Sequence, residues 1–149
     1  MSEKGLAGVA GVHFVVGELS RRGWVALPTI RNTKGIDVLA DNGGESVRIQ
    51  VKSRTDGRIW MLTKNAEKLV GKNLFYAFVN LKRLDPPEYF LVPSEVVAEY
   101  VTRTHRFFLK EGGADSDLRK LPNAYGKFDL EEYKDKWELL LSVKPHEQM

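Results

Sequence analysis

The feature that most constrains this chain is a pair of alternating runs on either side of a double glycine. Ile36, Val38 and Ala40 alternate with Asp37, Leu39 and Asp41; after Gly43-Gly44, Val47, Ile49 and Val51 alternate with Arg48, Gln50 and Lys52. A period of two marks strands that each have one apolar face. Bringing both apolar faces to one side of an antiparallel pair requires 36 opposite 51, 38 opposite 49 and 40 opposite 47. A slip of one residue would turn one strand's apolar set to the wrong face. That register leaves Gly43-Gly44 as a two-residue turn, and glycine accepts the positive φ values such turns need. On the polar face Asp37 then falls opposite Gln50, and Lys52 follows one same-face step along, opposite Gly35.

The flanking patterns place this hairpin among other elements. Val9, Val12, Val16 and Leu19 recur at helical spacing within residues 6–22, which end in Arg21, Arg22 and Gly23. Residues 24–30 alternate as a strand, and 35–40 and 45–54 are the hairpin strands. Residues 59–62 extend or follow the third strand. Thr63 is an expected N-cap for a short helix to Val70, and residues 74–81 form an apolar, aromatic run of the kind buried on both faces. A strand over 88–92 and a helix from Pro93-Ser94 to Thr104 follow. Residues 111–127 read as loop, and Asp129 is the expected cap of a last helix to Leu141. The predicted order is αβββαβ, then a further strand and two C-terminal helices.

Composition excludes several kinds of function. The chain has 149 residues, which fits one domain over 1–149. It has no cysteine and three scattered histidines, which removes disulfides, thiolate nucleophiles and the usual zinc ligand sets and fits a cytoplasmic location. No apolar run approaches the ~18 residues that span a bilayer, so no membrane partner is expected. The net charge of +3 is unevenly spread: residues 1–82 carry 13 Lys/Arg and 7 Asp/Glu, and residues 83–149 carry 10 and 13. Arg48, Lys52, Arg54, Arg58, Lys64, Lys68 and Lys72 lie in the basic half, a distribution that suits a polyanionic partner and equally a solvated basic surface.

With Gly35-Ile36-Asp37 on one strand and Gln50-Val51-Lys52 on the next, the chain resembles the PD-(D/E)XK nuclease superfamily, and in particular its Mrr-like and Holliday-junction-resolvase-like branch with a QxK triplet. The resemblance covers residues 6–81. It departs from the pattern at the proline position before Asp37 and at Gln50, which stands where an acid is usual. It implies a restriction-endonuclease-like α/β fold, an αβββαβ core with a mixed central sheet flanked by helices. It also implies a metal-dependent nuclease acting on DNA with Mg²⁺ or Mn²⁺ as cofactor. A chain of 149 residues without a recognisable recognition domain could be a homodimer, a subunit of a larger system, or non-specific. By the same resemblance Asp37, Gln50, the backbone carbonyl of Val51 and a helix-one glutamate, Glu18, are the expected metal ligands. Lys52 would position water or stabilise developing charge, and Ser53, Arg54 and Arg58 would contact the nucleic acid.

Each residue also has a plainer reading. Asp37 and Lys52 could form a cross-strand ion pair, Glu18 could pair with Arg21 or Arg22 at helical spacing, and His13 reads as structural or solvent-exposed. Trp60, Phe75, Tyr76 and Phe78 read as core, and Tyr125, Phe128 and Trp137 as packing for the last helix. The alternative function is a catalytically inactive nuclease-fold protein that binds nucleic acid or a protein.

Overall fold

A computed structural model describes residues 2–30 and 35–141. Helix α1 (Glu3–Arg21) begins where Ser2 caps it, its side chain accepting from the Gly5 N–H, and it stops before Gly23, whose φ is +94°. Its buried residues are Ala7, Gly11, Val15 and Leu19. The expected valine stripe is therefore rotated: Val9 is 44% exposed, and Val12 and Val16 only flank the core. The reason is a close approach of helix to sheet. A Cβ at Gly11 would collide with Ser53 Oγ, so at this turn a glycine faces the strands, on one buried stripe with Ala7, Val15 and Leu19.

A five-stranded mixed sheet runs in the order β1-β2-β3-β5-β6, from β1 (Val25–Pro28), β2 (Val38–Asp41), β3 (Ser46–Arg54), β5 (Leu74–Asn80) and β6 (Glu88–Pro93). Only β3 and β5 are parallel; the other neighbours are antiparallel. Between β2 and β3 the register is Val38 with Ile49 and Ala40 with Val47, as the alternation requires. The Asn42 N–H donates to the Glu45 carbonyl across the Gly43-Gly44 turn, and Asn42 Oδ1 accepts from the N–H groups of Gly44 and Glu45. Gly43 sits at φ +95°.

Strand β5 is buried at all seven positions and separates two cores. Phe75, Ala77 and Val79 face α1 together with Val38, Ile49 and Trp137. Tyr76 and Phe78 face the other way, into a cluster with Trp60, Phe90, Val97 and Tyr100 beneath helix α2 (Ser94–Lys110). The fold is thus α/β, with α1 and α2 on opposite faces of the sheet.

Three elements differ from expectation. The strand expected over 59–62 is present as β4 (Trp60–Thr63), but the short helix expected from Thr63 to Val70 is a single 3-10 turn, Lys64–Glu67. Thr63 makes no side-chain cap; the Lys64 N–H is taken by Asp117, 53 residues on. Part of the expected loop is a strand, β7 (Leu118–Leu121), paired antiparallel with β4 in a small second sheet. The last helix is replaced by two 3-10 turns, Leu130–Tyr133 and Trp137–Leu140. Between them Lys134 bridges to Phe90, and the Asp135 N–H donates to the Tyr89 carbonyl, so this segment spends its hydrogen bonds on the sheet edge. No helix among the described residues is long and apolar enough to cross a membrane.

Candidate active site

The site arises where β2 and β3 stop pairing. Ile49 is already the partner of Val38, yet the Asp37 N–H also donates to the Ile49 carbonyl at 2.8 Å. Two residues of one strand thus stand against one of the other, which is a β-bulge. The expected pairs 36 with 51 and 37 with 50 do not form. The Ile36 carbonyl accepts instead from Thr29 Oγ1 at 2.6 Å, and the Val51 N–H, freed from the ladder, donates to Asp37 Oδ2 at 2.8 Å. A bulge re-aims the side chain it carries. Asp37 accordingly lines a cleft of about 610 Å³ whose other wall is the first half of α1, including Lys4, Gly5, Gly8, Val12 and His13. Thr29 and Val51 complete the floor.

Gln50 and Lys52 alternate with Val51 along β3 and so leave the strand on its other face, level with Tyr76 and Phe78 of β5. The side chain of Leu69 packs against Gly35, closing that face of the hairpin end. Gln50 Oε1 is buried there and accepts no hydrogen bond. Lys52 is half-buried and remains within electrostatic reach of the cleft. Burial pushes its ammonium below the ordinary lysine range, Asp37 opposes that drop, and Lys4 adds to it.

The remaining expected residues lie elsewhere or are engaged. Glu18 sits three turns of α1 beyond Gly8, and its carboxylate accepts from Arg21 at 3.1 Å and Arg22 at 3.2 Å. The plain helical pairing is what the structure shows, and Glu18 is not brought to Asp37. Ser53 points at Gly11, with its hydroxyl buried and unpartnered, so it offers nothing to a ligand in solvent. Arg58 is held by Glu88 at 2.7 and 2.8 Å and by Glu131 at 2.7 Å, over the ring of Phe90. Arg54 is exposed, although one guanidinium N–H donates to the Ile59 carbonyl at 2.7 Å. Among the described residues no three His, Cys, Asp or Glu side chains gather where they could hold a metal. Among the described residues Asp37 is the carboxylate that lines the cleft, and the orphaned carbonyl of Gln50 lies on the opposite face of β3, with the Val51 backbone between them. An all-oxygen set suits a hard divalent cation that keeps most of its water. An amide oxygen buried without a donor also fits a cation ligand, since such groups are otherwise hydrogen-bonded.

Two residues of the cleft, Lys4 and His13, were not among the candidates. Lys4 carries no pattern that separates it from any exposed lysine, and only the way the first turn of α1 faces the bulge reveals it.

Two solved structures share this architecture. A bacterial homing endonuclease superposes with a TM-score of 0.61 at 16% identity, over 95% of this chain and 94% of that one. Hjc, a Holliday junction resolvase from the archaeal hyperthermophile Archaeoglobus fulgidus, superposes with a TM-score of 0.57 at 14% identity, over 92% of this chain and 98% of that one. No family model matches the chain, and no curated protein sequence matches it. The chain therefore shares the fold of these two enzymes, with Asp37 at the bulge where its two central hairpin strands part.

Proposed function

We propose that this protein is a nuclease that hydrolyses phosphodiester bonds, most naturally in DNA, with Mg²⁺ or Mn²⁺ as cofactor. The observation that carries the reading is the bulge, which takes Asp37 out of the ladder and sets it in an open cleft on a fold shared with two named DNA-processing enzymes. Asp37, Gln50 and the Val51 carbonyl are the groups that would hold the cation. When bound, such a cation polarises the phosphate and lowers the pKa of a bound water. The chain's own contributions are positional. The Val51 N–H fixes one carboxylate oxygen of Asp37, so the other can turn to a ligand without reorganisation. Lys52, a compact ammonium with reduced solvation, supplies positive charge where charge grows on the phosphate oxygens. A homodimer would give such a one-centre protein access to both strands of a duplex.

Supercoiled, linear and branched DNA, and RNA, incubated with Mg²⁺ or Mn²⁺ test this. Cleavage that disappears in Asp37→Asn and Lys52→Ala, with unchanged folding, is the expected result. No divalent-metal binding and no cleavage, with both variants indistinguishable from wild type, overturns it. The second reading, a catalytically inactive nuclease-fold binder, is favoured by one observation: among the described residues a single carboxylate faces the cleft, because Gln50 is neutral and Glu18 is tied to Arg21 and Arg22.

A further inference from the structure

Among the described residues lining the cleft, Lys4 and Asp37 carry the formal charges, and His13 is the one other titratable group. Lys4 forms no salt bridge among the described residues, and it stands on the first turn of α1 across from Asp37. The helix surface beside it is recessed. Gly5 and Gly8 have no side chains, and a Cβ at Gly8 would meet nothing within 4 Å, so a bulky strand could lie close against the helix there. Among the described residues one ammonium thus stands across the cleft from one carboxylate, so the lining carries no excess of negative charge. A centre built from two or three carboxylates repels phosphate until a metal neutralises it; this lining has no such excess to overcome.

We propose that Lys4 is the phosphate-gripping residue of the cleft's helical wall, and that the cleft holds a nucleic-acid backbone without a divalent cation. The inference rests on the nuclease reading of the site and adds to it a substrate contact on α1 and an order of binding in which the strand does not wait for metal. Because an ammonium on a phosphate carries no base information, the contact is indifferent to sequence.

The test is fluorescence anisotropy of a labelled duplex and of a single-stranded oligonucleotide, in EDTA, across a series of KCl concentrations. Wild type is expected to bind, with log K falling linearly in log salt. Lys4→Ala should weaken binding equally for unrelated sequences and make the slope shallower by about 0.9, the share of one phosphate contact on a duplex. Lys4→Arg should restore both, because it restores the charge. Arg103→Ala, on α2 and paired with Glu99, should leave both unchanged. Wild-type binding with a Lys4→Ala slope equal to wild type overturns the role of Lys4 and leaves the nuclease reading standing. Binding that needs Mg²⁺ overturns the metal-free order. No binding to DNA or RNA under any condition overturns the nuclease reading itself.

Discussion

Asp37 owes its place in the cleft to one extra residue in β2, and its neighbours show how narrowly the site is balanced. Lys52 is pulled down by burial and by Lys4 and held up by Asp37, so its titration reports all three. Asp37→Asn should lower the Lys52 pKa and Lys4→Ala should raise it, measured by NMR titration of the lysine side-chain signals; shifts in the same direction would sink this account. The sign for stability follows. A lysine with a lowered folded-state pKa leaves the unfolded chain binding more protons, so its contribution becomes more favourable as pH rises through the lowered value towards the ordinary ~10.4. Asp37→Asn should widen that window in denaturant melts at alkaline pH. Ser53 belongs to the same scale. Its hydroxyl is buried with no partner, so Ser53→Ala should be neutral or stabilising by up to about 1 kcal/mol. Gly11→Ala, which pushes a methyl into Ser53, should destabilise by about 1–3 kcal/mol in urea unfolding.

At the scale of elements, the turn after β3 is fastened to β6 and to the first C-terminal 3-10 turn by Arg58. Glu88 is nearly buried, and its hydrogen bonds from Arg58, ahead of that from Asn80, hold its carboxyl down at about 2. The stability this supplies is full above 4.5 and is lost as pH falls from there towards 2. Arg58→Ala leaves the nearly buried Glu88 carboxylate with Asn80 and Lys134 as its partners and should cost about 1–3 kcal/mol, flatten that acid limb and leave nucleic-acid affinity unchanged. A loss of affinity without a loss of stability would return Arg58 to the binding surface. The elements also show what a sequence makes legible. The hairpin register could be read because Val38, Ala40, Val47 and Ile49 alternate cleanly, and β5 because its run is apolar throughout. Strand β7 could not, because the inward position that should be apolar is Arg119, made tolerable by Glu67 at 2.7 Å from the other side of the chain. The last helix was misread because residues 129–141 have local helical character that bonds to β6 override. The bulge at Asp37 was invisible for a related reason: alternation specifies a register only where both strands keep pairing.

For the whole molecule, the central question is whether two cores make one cooperative unit. The cluster under α1 contains Trp24 and Trp137, and the cluster under α2 contains Trp60. They share β5, whose alternate residues serve both, and Trp60 Nε1 donates to the Val79 carbonyl at 3.0 Å, so the second cluster is hydrogen-bonded to a strand of the first. Neither cluster can lose β5 without exposing the other's large side chains. At ~25 cal/mol per Å² of apolar surface that loss outweighs the few kcal/mol by which a protein of this size is stable. Unfolding should therefore be two-state across residues 1–149. Variants retaining Trp60 alone, or Trp137 alone, with phenylalanine at the other tryptophan positions, give one fluorescent reporter per core. Their urea transitions, compared with the far-UV circular dichroism of the same variant, should share one midpoint within each variant. A Trp60 transition that precedes the loss of sheet signal would mean that the α2 core, with β4 and β7, opens separately from the α1 core and the candidate active site. The single-domain expectation would then give way to a stable nuclease-like core with a less stable appended layer.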